Sequence, residues 1–255
     1  MLNEGITRMD QQATIYVQSG DAPVSLTALL DSFIATIRSN DPEVIGFSVM
    51  FLDQLPFALA LAARMRQTGD RLHKVPPLIL GGATMSALSV EELLVAAPFI
   101  DAILPGEGER ALALLCEGTP LADIPGMRTV AAPAFTPGVS PLPVTADAIA
   151  APDFGALDLR LYPNPTPVLP LVLSRDCDWG RCRFCAHNFS FHGYRLKDPT
   201  VFVDEIERLM ARHGATHFYL ADQYISAPTL ERLSDEILRR DLRLHFHLMA
   251  RPTQD

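Results

Sequence analysis

Long apolar runs are missing from this 255-residue chain. The longest, Leu55 to Met65, falls well short of the ~20 residues that a helix needs to cross a bilayer. No membrane span is therefore expected, and a run apolar on every side reads as a buried helix. The first residues, Met1 to Gln12, mix acidic and amide side chains without an apolar core, so no secretory leader is expected. Excess positive charge is missing too. Lys and Arg total 21 against 30 Asp and Glu, for a net charge of −9 and a pI near 5.2. Such a surface repels phosphate backbones and argues against nucleic acid as a partner. Cysteine is scarce, with four in the chain, three of them between Cys177 and Cys185. A disulfide framework would spread an even number along a short secreted chain. A tight cluster with no export signal instead reads as a metal site in a reducing, cytoplasmic compartment. Cys116, alone in the helical pattern from Arg110, reads as a small buried hydrophobe.

What is present is an alternation of strand-like and helix-like segments. Glu43 to Leu52 is a continuous apolar run, as a strand covered on both faces requires. Asp53 is placed to cap a helix over Leu55–Thr68 that stops at Gly69. Pro77 to Leu80 predicts a second buried strand. Ser89, with Glu92 three residues on, marks another helix start. Phe99 to Leu104 predicts a third strand, followed by a helix to about Glu117. The earlier segment from Ala13 to Asn40 is expected to hold a short strand and one more helix. Strands alternating with helices of this length imply α/β architecture, a doubly wound parallel sheet over residues 1–130. Residues 131–167 are rich in Pro and read as a wrapping linker, with a short strand near Met127–Ala131 just before it. The alternation restarts over 168–255. Val168 to Ser174 is a predicted strand, and Asp198 to His213 a helix with Pro199 at its first position and Gly214 past its end. Thr216 to Leu220 is a strand, Pro228 to Arg240 a helix and Leu242 to Met249 a strand.

The segment Cys177-Asp-Trp-Gly-Arg-Cys182-Arg-Phe-Cys185 carries the chemistry. Thiolates are soft donors that suit iron–sulfur clusters and zinc. The spacing is C-x4-C-x2-C, and no fourth cysteine follows, whereas plant-type ferredoxins need one. Three thiolates leave one iron of a 4Fe–4S cluster open to a ligand. The competing set is Cys177, Cys182, Cys185 and His187 around a structural zinc. Arg175, Arg181 and Arg183 flank the cysteines, either to offset cluster charge or simply as solvated surface residues.

Three clustered cysteines directly after the first strand of a βα series, with Phe184 just before the last one, resemble the radical S-adenosylmethionine superfamily. The stretch from Trp179 to Cys185 is similar to a subgroup with cobalamin-type N-terminal domains. The resemblance implies a 4Fe–4S cluster whose open iron binds S-adenosylmethionine. Reductive cleavage of that cofactor, with electrons from an external donor, then gives a 5′-deoxyadenosyl radical. It also implies a partial βα barrel, of which 168–255 would be the first part, so that the chain as given is expected to be a fragment. The family spacing is C-x3-C-x2-C. The extra residue here lies within Asp178–Arg181, where Gly180 can absorb it with a positive φ. Asp222, after the second strand of this half, is placed where the family carries a polar motif toward the S-adenosylmethionine ammonium; it reads equally as a cap or loop residue. His245 and His247 share one strand face, and with Arg251 are candidates to line a substrate pocket.

Residues from about Ala13 to Val130 resemble the cobalamin-binding domain that precedes many such cores. Ser48, at the end of a strand after Gly46, then Gly81 and Gly82, then Gly106, Glu107 and Gly108, follow successive strands at the ends where doubly wound sheets bind ligands. The alternative is ordinary tight turns. The Asp-x-His-x-x-Gly motif of an axial histidine is absent, and His73 stands in no such motif. The expected function is a radical enzyme that modifies unactivated carbon, by methyl transfer or another radical route, on a small molecule, lipid or peptide. The rival from another class is a non-catalytic zinc or iron–sulfur module beside a ligand-sensing α/β domain.

Overall fold

The computed structural model describes residues 2–21, 23–69, 75–131, 144–185 and 193–250. The chain divides into two compact units, Met1–Pro143 and Val144–Asp255.

The first unit opens with two helices, α1 (Leu2–Ser19) and α2 (Val24–Ser39). The strand expected between Ala13 and Asn40 does not form. Ala13 and Tyr16, three residues apart, are both buried, which is helical spacing. Helix α3 (Leu55–Thr68) contacts both, and the Tyr16 hydroxyl donates to Gln67 Oε1 at 2.6 Å. Packing on α3 overrides the strand preference of the β-branched Thr14, Ile15 and Val17.

Strands β1 (Ile45–Ser48), β2 (Leu78–Gly81) and β3 (Ala102–Ile103) pair in parallel, and β4 (Arg128–Thr129) adds antiparallel to β3. The register sets Phe47 beside Leu80 and Leu80 beside Ile103. One sheet face, with Ile45, Leu78, Leu80 and Ile103, packs on α1 to α3 and on α4 (Val90–Ala96). The other, with Ile79 and Ala102, packs on Ala111 of α5 (Glu109–Cys116). Helices thus cover both faces, as the α/β reading required. Two details differ. β1 is not buried on both faces, since Gly46 and Ser48 are exposed while Ile45 is buried. Asp53 does not cap α3. A single 3-10 turn, Leu52–Gln54, precedes the helix, and the Gln54 side chain accepts from the Met50 and Phe51 amides at 2.8 and 3.1 Å. Ser89 does cap α4, accepting from the Glu92 amide at 3.4 Å. Cys116 is exposed rather than buried, because it occupies the last turn of α5, beyond the buried Ala111.

The second unit has a three-stranded parallel sheet in the order β5 (Val168–Leu171), β8 (His217–Leu220), β9 (His245–His247). Pro170 lacks an amide hydrogen and sits on the edge strand β5, where that loss is tolerated. Between β5 and β8, β6 (Ser174–Arg175) and β7 (Arg195–Leu196) form a separate antiparallel pair. Helix α6 (Pro199–His213) follows every signal in its sequence. The Asp198 side chain accepts from the Thr200 amide at 2.8 Å, Pro199 starts the first turn, and Gly214 ends the helix at φ 64°. Its buried Phe202, Val203, Ile206 and Leu209 pack with Leu169, Leu171, Phe218 and Leu220 of the sheet. Helix α7 (Ala227–Arg239) contacts α6. The sheet is an open partial one, not a closed barrel. Among the described residues no helix is long and apolar enough to cross a membrane.

Candidate functional site

The cysteine loop leaves the sheet where β5 ends. From Val168 to Arg175 the chain changes partner across a bend at Leu173. The first part of this stretch pairs with β8, and Ser174 and Arg175 then pair with Leu196 and Arg195. That switch lifts the following residues off the carboxyl end of the sheet, where βα folds collect their chemistry. The β6–β7 pair closes the base of the loop, and the cysteines lie between the two stems.

Cys177, Cys182 and Cys185 form no disulfide and are all half-buried. The Cys185 amide donates to the Cys182 carbonyl at 3.1 Å, a tight turn that keeps the C-x2-C pair together. Gly180 has φ 51°, the positive value expected where the extra residue is accommodated. Asp176 also has a positive φ, 68°, and its Oδ1 accepts from the Cys177 amide at 2.8 Å. Arg181 lies over the Trp179 ring at 5.3 Å, a cation–π contact on the outer part of the loop. Phe184 is 92% exposed. Among the described residues, no three His, Cys, Asp or Glu side chains converge as a preformed metal cage. His187, the fourth donor of the zinc alternative, lies outside the described residues, as do His73 and Arg251. The donor chemistry on this loop is three thiols, none in a disulfide, on one tethered segment, and it fits a soft metal or cluster.

Asp222, just past β8, is 1% exposed. Its Oδ2 accepts from the Leu173 amide at 3.0 Å, and its Oδ1 accepts the Ser174 hydroxyl at 2.5 Å together with the Ser174 amide. Burial pushes its carboxyl above the ordinary aspartate range, against the lowering effect of the Ser174 hydrogen bond. Burial likewise pushes the Tyr194 phenol up. Sequence reasoning missed Ser174 and Tyr194, because nothing in the spacing of a lone Ser or Tyr tells of a buried partner. It also missed the buried pair of Lys197 and Glu205, whose ammonium bonds both carboxylate oxygens at 2.8 Å.

On β8 and β9, His217 stacks on His245 with centroids 4.5 Å apart, and Tyr219 meets His247 at 5.3 Å. His245 and His247 do share one face, and both are exposed.

In the first unit, the expected ligand-facing residues all lie at the carboxyl ends of the parallel strands. Ser48 is the exposed last residue of β1. Gly81 ends β2, and Gly82 follows with φ 95°. Its backbone passes so close to Val49 that a Cβ there would meet the Val49 carbonyl oxygen at 2.5 Å. Gly106 has φ 84°, Glu107 is buried and Gly108 precedes α5. Met50, Phe51 and Leu52, past the end of β1, are exposed apolar side chains.

No protein-family model matches the chain. The anaerobic magnesium-protoporphyrin IX monomethyl ester cyclase of Rubrivivax gelatinosus is 30% identical over 239 residues, covering 85% of this chain and 40% of that protein. The enzyme of the same name from Cereibacter sphaeroides is 32% identical over 165 residues, covering 60% and 26%. The chain thus spans well under half the length of these curated relatives. Among solved structures, the radical S-adenosylmethionine methyltransferase TsrM from Kitasatospora setae, with tryptophan substrate and a cofactor analogue bound, matches with TM-score 0.62 at 18% identity. That match covers 93% of this chain and 51% of that one. The cobalamin-dependent S-adenosylmethionine radical enzyme OxsB, with aqua-cobalamin and S-adenosylmethionine bound, matches with TM-score 0.61 at 18% identity, covering 85% and 31%. In sequence the chain is related to the anaerobic magnesium-protoporphyrin IX monomethyl ester cyclases, and in fold it is built like radical S-adenosylmethionine proteins of known structure.

Proposed function

We propose that this chain provides the cofactor-binding part of a cobalamin-dependent radical S-adenosylmethionine enzyme that modifies unactivated carbon, methyl transfer being one form of that chemistry. The observation that carries the reading is a loop with three cysteine thiols, none in a disulfide, closed at its base and set at the carboxyl end of a parallel βα sheet. Cys177, Cys182 and Cys185 would hold a 4Fe–4S cluster. Ser48, Gly81, Gly82, Gly106, Glu107 and Gly108 would face cobalamin. When bound, the cluster supplies the electron for reductive cleavage of S-adenosylmethionine, and cobalamin supplies a carrier for the transferred carbon.

The protein's own contributions follow from its residues. The thiols deprotonate to bind iron, and their half-buried setting limits access of water and oxygen. Arg175, Arg181 and Arg183 supply positive charge beside a site that gains negative charge from three thiolates. Gly82 lets the chain fold back against Val49 and so shapes the strand end that would face the ligand. The exposed Ser48 hydroxyl is available to hydrogen-bond a nucleotide tail. The substrate, a small molecule, and an external electron donor complete the reaction.

Anaerobic reconstitution with iron and sulfide tests this reading. The expected result is thiolate-to-iron charge-transfer absorbance, an EPR signal on reduction, and 5′-deoxyadenosine release when S-adenosylmethionine and reductant are added. Replacing any of the three cysteines with alanine should abolish all three. Stoichiometric zinc with no charge-transfer band would overturn the reading. Refolding with hydroxocobalamin tests the first unit, and a protein that retains none through gel filtration removes cobalamin from the proposal.

A further inference from the structure

The hydrogen bonds around Asp222 form a brace for the cysteine loop. The last backbone contact between the two strands is the Ala221 amide, which donates to the Leu171 carbonyl at 2.8 Å. Beyond it the Asp222 side chain takes over, accepting the amides of Leu173 and Ser174 and the Ser174 hydroxyl. The Lys197 amide donates to the Leu173 carbonyl at 2.9 Å. Leu173 and Ser174 are therefore tied on one side to the returning stem of the loop and on the other to the end of β8. The half-buried phenol of Tyr194, at the start of that returning stem, is influenced by the Ser174 and Thr229 hydroxyls. Thr229 in turn lies 2.9 Å from the hydroxyl of Ser226, the cap residue of α7. The observed brace thus runs from Asp222 to Leu173 and Ser174, and from Leu173 to Lys197 on the returning stem.

We propose that Asp222, acting through Leu173 and Ser174, is a positioning residue that locks the paired stems of the cysteine loop to the end of β8 and so presets the thiols for metal. The proposal rests on the reading of Cys177, Cys182 and Cys185 as cluster ligands. The physical case is pre-organisation: a loop whose ends are already fixed loses less freedom when it closes on a ligand. Residues behind the ligands of a metal site act in the same way. Asp222 is 1% exposed and turns both oxygens onto the strand it braces, a role separate from accepting the S-adenosylmethionine ammonium.

The test uses the full chain reconstituted anaerobically with ferrous iron and sulfide. The variants are Asp222→Asn, Ser174→Ala and Ser174→Thr, each checked by circular dichroism. Asn keeps one acceptor oxygen but turns an NH2 group toward a strand amide. With unchanged circular dichroism, Asp222→Asn should lower iron and sulfide content roughly tenfold, in line with the losses known for residues that orient metal ligands. The EPR spectrum of its residual cluster should be altered before any S-adenosylmethionine is added. Ser174→Thr, which keeps the hydroxyl, should recover what Ser174→Ala loses. Wild-type iron content and cofactor-free EPR in Asp222→Asn would overturn the proposal, including the case in which only the S-adenosylmethionine-induced spectral change is lost. If Asp222→Asn does not fold, the Ser174 variants decide by the same readouts. A triple cysteine-to-alanine variant that loads iron and sulfide like wild type would sink the cluster reading itself. Normal loss in that variant, with no effect in the brace variants, overturns the brace alone.

Discussion

Gly82 shows how narrowly a single residue can be specified. The Val49 amide donates to the Gly81 carbonyl at 2.8 Å, and the Thr84 amide returns to the Val49 carbonyl at 3.2 Å. The chain therefore doubles back against Val49, and Gly82 sits in the bend with φ 95°. Gly82→Ala should cost about 2 kcal/mol or more, from the positive φ and the clash with Val49 backbone together. A lowered urea midpoint with unchanged slope would register it. The Lys197–Glu205 pair makes a second residue-scale prediction. Both side chains are at most 5% exposed, so Lys197→Met strands a buried carboxylate and should destabilise by about 3–5 kcal/mol. The double change Lys197→Met with Glu205→Leu should recover most of that loss. Denaturant unfolding of the single and double variants decides it. Cys116 yields a null expectation. It is exposed and far in sequence from the loop, so Cys116→Ser should leave iron uptake unchanged in the reconstituted protein.

At the scale of elements, α6 and α7 are joined by an ion network centred just past the end of α7. Arg240 donates to Glu236 at 2.7 Å, to Asp204 at 2.6 Å and to Glu207 at 2.5 Å. Hydrogen bonds from Arg239 and then Arg240 hold the Glu236 carboxyl down at about 2, against an ordinary 4.5. The sign follows from linkage. A carboxylate with a lowered folded-state value contributes stability that is present above about 4.5 and fades as pH falls toward about 2. Arg239, Asp204 and Glu207 are exposed while Glu236 and Arg240 are half-buried, so salt should weaken the effect in part. A carboxyl NMR titration should place Glu236 near 2, and Arg240→Ala should move it upward but not fully to 4.5, since Arg239 remains. The same elements show which boundaries are local. Asp198, Pro199 and Gly214 end α6 by their own conformational preferences, so the helix was legible from the sequence. Helix α1 was not, because Thr14, Ile15 and Val17 favour strand and only contact with α3 shows which way they go.

At the scale of the whole chain, each buried cluster among the described residues lies within one unit. The two in the first unit draw on residues 13–127, and the one in the second on residues 154–233, with no shared members. A perturbation in one core should stay there. Hydrogen exchange should show faster amide exchange across 13–127 in Gly82→Ala and little change across 154–233. The sequence by itself determined the α/β alternation, the three cysteines and the positive φ at Gly180, because each depends on periodicity, donor type or a local backbone need. Only the tertiary structure decided that Ser48 is exposed on a strand read as covered, and that Cys116 faces out. It alone turned Asp222 inward onto Leu173 and Ser174. Such partners lie nearly fifty positions apart along the chain. No local preference encodes them, and they meet only because β8 pairs beside β5 and carries Asp222 to the strand end where two amides lack a neighbour.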